Sequence, residues 1–121
     1  MTVYYVDPSN CADDTATGLK YTGLIVDSTA DTTHLTDAGL NGMTIPVGSF
    51  VWVAGRSGSL VSAWDDGTDT LTLGSAIAGL AADDAYYLIT PWKTVGKATT
   101  TLAVTDIGYL VLAYYCQDGT I

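Results

Sequence analysis

Apolar and polar residues in this chain change places on a short wavelength. Runs rich in β-branched and aromatic residues, Met43 to Ile45, Phe50 to Ala54, Leu60 to Trp64, Thr70 to Leu73 and Tyr86 to Ile89, are divided by clusters of Gly, Pro, Asn and Asp at close, fairly even spacing. Branched and aromatic side chains suit a pleated, half-buried surface, and the dividing residues suit turns, so the stretch from Thr33 to Thr90 predicts an antiparallel β module. Thr70-Leu71-Thr72-Leu73 alternates as a strand with one wet and one dry face does. Phe50-Val51-Trp52-Val53 is apolar throughout and predicts a strand buried on both faces. The expected fold is all-β, a small antiparallel β-sandwich or barrel with Trp52 or Trp64 in its core.

The flanks follow the same logic. Thr2 to Val6 is a β-prone run that stops at Asp7-Pro8-Ser9-Asn10, where proline fixes φ and Asp and Asn bond the local backbone. Cys11 to Thr22 is polar and Gly-spaced, an extended N-terminal arm expected, with the residues before it, to reach a neighbouring chain. Thr22 to Asp27 is the next strand and Ser28 to Thr33 a polar turn. Leu35 to Asn41 predicts one helical turn capped by Thr36 or Asp37, or a tight loop, with Asn41-Gly42 a ready place for positive φ. Pro46-Val47-Gly48 and Gly55 to Gly58 are turns, and Asp65-Asp66-Gly67 predicts a type I′ hairpin. Gly74 to Asp84 is a loop or one short helix, and Tyr109 to Cys116 a last strand. The tyrosines at both ends predict that Tyr4-Tyr5 and Tyr114-Tyr115 share a sheet. One domain results: arm and first strand over 1–22, β module over 23–90, and a C-terminal segment over 91–121 that returns to the sheet.

Charge narrows the partners. Thirteen carboxylates, all Asp and none Glu, face four basic residues, for a net charge of -9. Such a surface repels nucleic acid and anionic membranes at long range, so neither is an expected partner. Aspartate in place of glutamate also favours turns over helix interiors. The N-terminus lacks the basic start and apolar run of a signal peptide, and the expectation is a soluble protein made in a cytoplasm. There Cys11 and Cys116 are read as free thiols, a disulfide joining the ends being the alternative.

Candidate chemistry is thin. His34 has Ser28 and Asp37 near it in sequence, but a triad is a spatial arrangement, and a turn histidine is the simpler reading. Neighbouring residues on a strand point to opposite faces, so Asp13-Asp14, Asp65-Asp66 and Asp83-Asp84 do not form catalytic pairs by adjacency. Asp65, Asp66 and Asp69 crowd one turn, as a hard cation prefers, although acidic hairpin turns are common without one. Trp52, Trp64 and Trp92, with the tyrosines, suit either a sugar-stacking platform or core and intersubunit packing, and packing is the expectation. No catalytic residue, cofactor or metal is predicted.

Two resemblances emerge. YYVDPSN at Tyr4 to Asn10 and TPWKTVGKA at Thr90 to Ala98 resemble the opening of phage tail-spike and other right-handed β-helix proteins, although Cys11 stands where that pattern has Gly and a long stretch separates the halves. The span holding TTHLTDAGLNGM, VWVAGRSG, VSAWDDGTDTLTL and DDAYYLI is similar to a β module recurrent in phage virion proteins. The second resemblance implies a β-tulip-like, non-enzymatic capsid decoration or cement protein on the virion surface. Its partner would be the major capsid protein; a homotrimer is expected because symmetric oligomers are the rule, and the aromatic surplus makes Tyr4, Tyr5, Trp92, Tyr114 and Tyr115 candidate oligomer or capsid contacts. The first implies instead a virion-anchoring or carbohydrate-binding β module of a tail fibre or spike.

Overall fold

A computed structural model describes residues 4–7, 9, 16–93 and 110–112. Among the described residues nine strands run in order: β1 (Tyr4–Val6), β2 (Lys20–Ile25), β3 (Ser28–Asp31), β4 (His34–Thr36), β5 (Phe50–Val53), β6 (Gly58–Asp65), β7 (Thr70–Leu73), β8 (Ala85–Ile89) and β9 (Leu110–Leu112). The described residues contain no α-helix, only a 3-10 turn at Ala38–Leu40. Seven strands form one antiparallel sheet in the order β2-β8-β5-β6-β7-β4-β3, while β1 and β9 pair in parallel. The fold is therefore all-β, as the spacing of the apolar runs predicts.

The large sheet folds over on itself, and β6 is the hinge. Its first half pairs with β5 through Leu60↔Phe50 and Gly58↔Trp52; past an irregularity between Val61 and Ala63 its second half pairs with β7 through Trp64↔Leu71 and Asp65↔Thr70. A bulge bends and twists the strand that carries it, which lets one strand serve two layers. On the opposite side the sheet's two edge strands, β2 and β3, are joined only by Val26 and Asp27. Val26 still bonds the β8 side, its N–H donating to the Asp84 carbonyl, and the Asp27 N–H donates to the Thr36 carbonyl of β4. The chain thus turns a corner between layers there, although no ladder between β2 and β3 closes the sheet. Between the layers lies one core of Val26, Leu35, Leu40, Ile45, Val51, Val53, Val61, Leu71, Leu73, Ile77, Leu80, Tyr86 and Leu88.

Several expectations change. β5 is buried on one face only at its centre: Val51 and Val53 enter the core, while Trp52 points out with 37% of its surface exposed. Trp64 is half-buried at the core margin, its Nε1–H donating to the Met43 carbonyl at 3.0 Å. Neither tryptophan is a core centrepiece. That same bond helps explain why Met43 to Ile45 is not a strand: the Met43 carbonyl is taken by a side chain, and Pro46 follows with no N–H to give. Ser28 to Thr33 is more than a turn. It holds β3, which reverses at Thr32-Thr33 because the Asp31 carboxylate accepts both the N–H and the hydroxyl of Thr33, at 2.8 and 2.7 Å. The β6–β7 connection is longer than a type I′ turn, running over Asp66 to Asp69 with the positive φ, 55°, at Asp69 and not at Gly67. Gly74 to Asp84 is a loop without a helix.

Candidate functional site

Two places gather the residue types that the sequence singles out. The first is the base of the module, where its two ends meet. The Gly18 N–H donates to the Thr90 carbonyl at 2.8 Å and the Thr90 N–H to the Leu19 carbonyl at 3.0 Å, with the Thr17 and Thr90 hydroxyls 2.9 Å apart. One step further out, Val6 and Trp92 form a parallel bridge: Trp92 N–H donates to Tyr5 and Asp7 N–H to Trp92, at 3.0 and 2.9 Å. The Trp92 indole stacks on Tyr4 with ring centroids 5.0 Å apart and planes 10° from parallel. Its Nε1–H donates to the Ala16 carbonyl at 2.8 Å, and Val6 and Ala16 complete a small second core. Gly18 is required here: its φ is +72°, and an added Cβ would lie 2.8 Å from the indole ring.

The candidate contact residues fall at this base or outside the described residues. Trp92 is only 2% exposed and is used inside the chain, while Tyr4 and Tyr5 are half-buried. The described part of the arm, Tyr4 to Asp7 and Ala16 to Leu19, is bonded back to its own chain at Thr90 to Trp92. Asp7 to Ser9 makes the anticipated turn, the Asp7 carboxylate accepting the Ser9 N–H at 3.2 Å. The N-terminal strand pairs with a C-terminal one, Tyr4 opposite Leu110. Tyr114, Tyr115, Cys11, Cys116 and the Asp13-Asp14 pair lie outside the described residues.

The second place is the outer face of β2, β8 and β5. Direct cross-strand partners share a face, so Trp52 stands beside Tyr87 on one side and Gly58 on the other. The Lys20 ammonium sits 4.2 Å from the centre of the Tyr87 ring. Burial pushes the Tyr87 hydroxyl above its ordinary pKa, and Tyr5 nearby adds to the shift. Tyr87 and Lys20 do not stand out in the sequence, because the β8 run Ala85 to Ile89 is apolar or aromatic throughout and carries no polar alternation to mark its outer face.

The remaining candidates separate. His34 Nδ1 lies 2.8 Å from the Asp31 carboxylate on the surface, and Asp37 is buried elsewhere, bonded to Tyr86 at 2.5 Å. The hairpin carboxylates are each occupied: Asp65 accepts the Gly67 N–H, Asp66 the Gly42 N–H and Asp69 the Asn41 amide, at 2.9, 2.7 and 2.9 Å. Among the described residues no three His, Cys, Asp or Glu groups converge as a metal site. Asp83 and Asp84 part company, Asp84 pairing with Arg56 at 2.6 Å while Asp83 takes a φ of 69°. No family model matches the chain, and neither a curated protein nor a solved structure matches it.

Proposed function

We propose that the chain is a non-enzymatic structural part of a tailed-phage virion, serving as the anchoring β module of a tail fibre or spike. One observation carries this reading. Tyr4 to Val6 and Trp92 belong to the two separate stretches that resemble the opening of spike β-helices, and they are joined by parallel backbone bonds and a stacked ring pair. Parallel pairing of short strands is also the geometry in which β1 meets β9. The Lys20–Ile89 module then sits as an insertion between the two halves, leaving and re-entering at neighbouring residues, Leu19 and Thr90. Its role is mechanical and positional, and it works without a reacting group.

Copy number tests this. Quantitative mass spectrometry of purified particles should find the chain at the stoichiometry of fibres or spikes. Hundreds of copies per particle would replace the reading with capsid decoration, in which a homotrimer caps the major capsid protein.

A further inference from the structure

We propose that Asn41-Gly42 is a latent self-modification site, an asparagine poised to deamidate and held intact by the acidic hairpin between β6 and β7. Both residues are exposed, and Gly42 has no side chain of its own to crowd the approach of the Asn41 side chain to its nitrogen. The two groups that would react are both held. The Gly42 N–H donates to Asp66 at 2.7 Å, and the Asn41 amide nitrogen donates to Asp69 at 2.9 Å.

In the reaction the Gly42 nitrogen gives its proton to solvent base and bonds to Cγ of Asn41. The Cγ–Nδ2 bond breaks, Nδ2 takes a proton from water, and ammonia leaves. Water then opens the resulting succinimide at either carbonyl, to aspartate or isoaspartate, with no oxidation or reduction.

The folded state opposes each step. The Asp66 carboxylate lies against the nitrogen that must become negative, and like charge disfavours that. Ring closure needs Cβ of Asn41 and the nitrogen of Gly42 to eclipse about the Cα–C bond, which the extended Asn41 ψ of 134° does not provide. Once the clamp opens and the step occurs, an amide donor facing Asp69 becomes a carboxylate facing carboxylates, and the 3-10 turn no longer docks on the hairpin. The modification is a one-way latch whose rate follows opening of this corner. It stands on the module alone and is independent of any role in a virion.

The test incubates the full chain at neutral pH and physiological temperature, reading conversion of the Asn41 peptide by mass and isoaspartate content. Wild type should convert at least about tenfold more slowly than a free Gly39–Thr44 peptide, and Asp66→Ala about tenfold faster than wild type, the scale of one charge-assisted hydrogen bond. If Asp66→Ala does not fold, wild type in urea below its unfolding midpoint decides: conversion rising with urea supports the clamp. Wild type converting as fast as the peptide overturns the proposal, as does a rate that responds to neither Asp66→Ala nor urea.

Discussion

Asp37 ties three parts of the molecule through its carboxylate and its backbone N–H. Its Oδ1 caps the 3-10 turn by accepting the Gly39 N–H at 2.8 Å, and its Oδ2 accepts the Tyr86 hydroxyl of β8 at 2.5 Å, while its own N–H reaches the Asp69 carbonyl of the hairpin at 3.0 Å. Both side chains are buried, and burial first, then the bond to Asp37, raises the Tyr86 hydroxyl far above its ordinary pKa. Tyr86→Phe would leave a buried carboxylate oxygen short of its donor, so urea unfolding should show a loss of about 1–3 kcal/mol; an unchanged midpoint would refute the assignment. The cap was legible, since Asp before Ala-Gly-Leu is a cap signal. The Tyr86 partner was not, because it lies 49 residues away and no local pattern encodes that meeting.

Asp31 gives a pH prediction of known sign. The His34 hydrogen bond first, then the hydroxyl and N–H of Thr33, hold its carboxyl down at about 2 against an ordinary 3.8. A depressed carboxylate contributes stability above its unfolded pKa and loses it as pH falls through the folded one, here from about 3.8 towards 2. The pair is exposed, so the contribution is small. Carboxyl NMR titration should find Asp31 near 2 in wild type and closer to 3.8 in His34→Ala. Equal titration in both proteins would remove His34 as the cause.

At the scale of elements, β5 shows what periodicity could and could not give. Its apolar run correctly marks a central strand, paired on both edges by β6 and β8. Hydrophobicity alone does not reveal that one face of that strand turns outward, which is why the run predicts burial on both faces while Trp52 is 37% exposed. The outer face has its own packing requirement at Gly58, where a Cβ would fall 2.5 Å from Phe50 Cζ and 2.8 Å from Trp52 Cε3. Gly58→Ala should cost about 1–3 kcal/mol as those rings are displaced. Gly74→Ala is the matched control: its Cβ meets nothing nearer than the Leu60 carbonyl at 3.5 Å, and the change should stay within about 0.5 kcal/mol. Similar losses at both glycines would show that contact with the Phe50 and Trp52 rings does not govern Gly58, since chain entropy alone favours alanine at both sites. The hairpin after β6 was legible as a turn but not in type, because the side-chain bonds from Asp66 and Asp69 to Gly42 and Asn41 come from a distant loop.

For the whole molecule, the separation of a large core from the small Val6, Ala16 and Trp92 cluster predicts that the module folds alone. A fragment from Gly18 to Thr90 keeps every member of the large core. It should give a β-type circular dichroism spectrum and one cooperative unfolding transition, and a disordered spectrum would show that the base is needed for folding. In the full chain, Trp92→Ala should loosen the base while the module's transition persists. All-β class and most strand positions could be read from the sequence; the meeting of Tyr4 with Trp92 could not, since no local pattern encodes a contact between residues so far apart along the chain.

The short circuit at the base also sets how the molecule carries a load. Tension drawn along the backbone between Val6 and Trp92 is met at once by the bonds linking Tyr5, Asp7, Gly18 and Leu19 to Thr90 and Trp92. Until those give way, the pull passes across the root of the module and none of it stretches the strands above. A pull applied at this point would tug on a few peptide groups and one stacked ring pair, while the body of the module rides along slack.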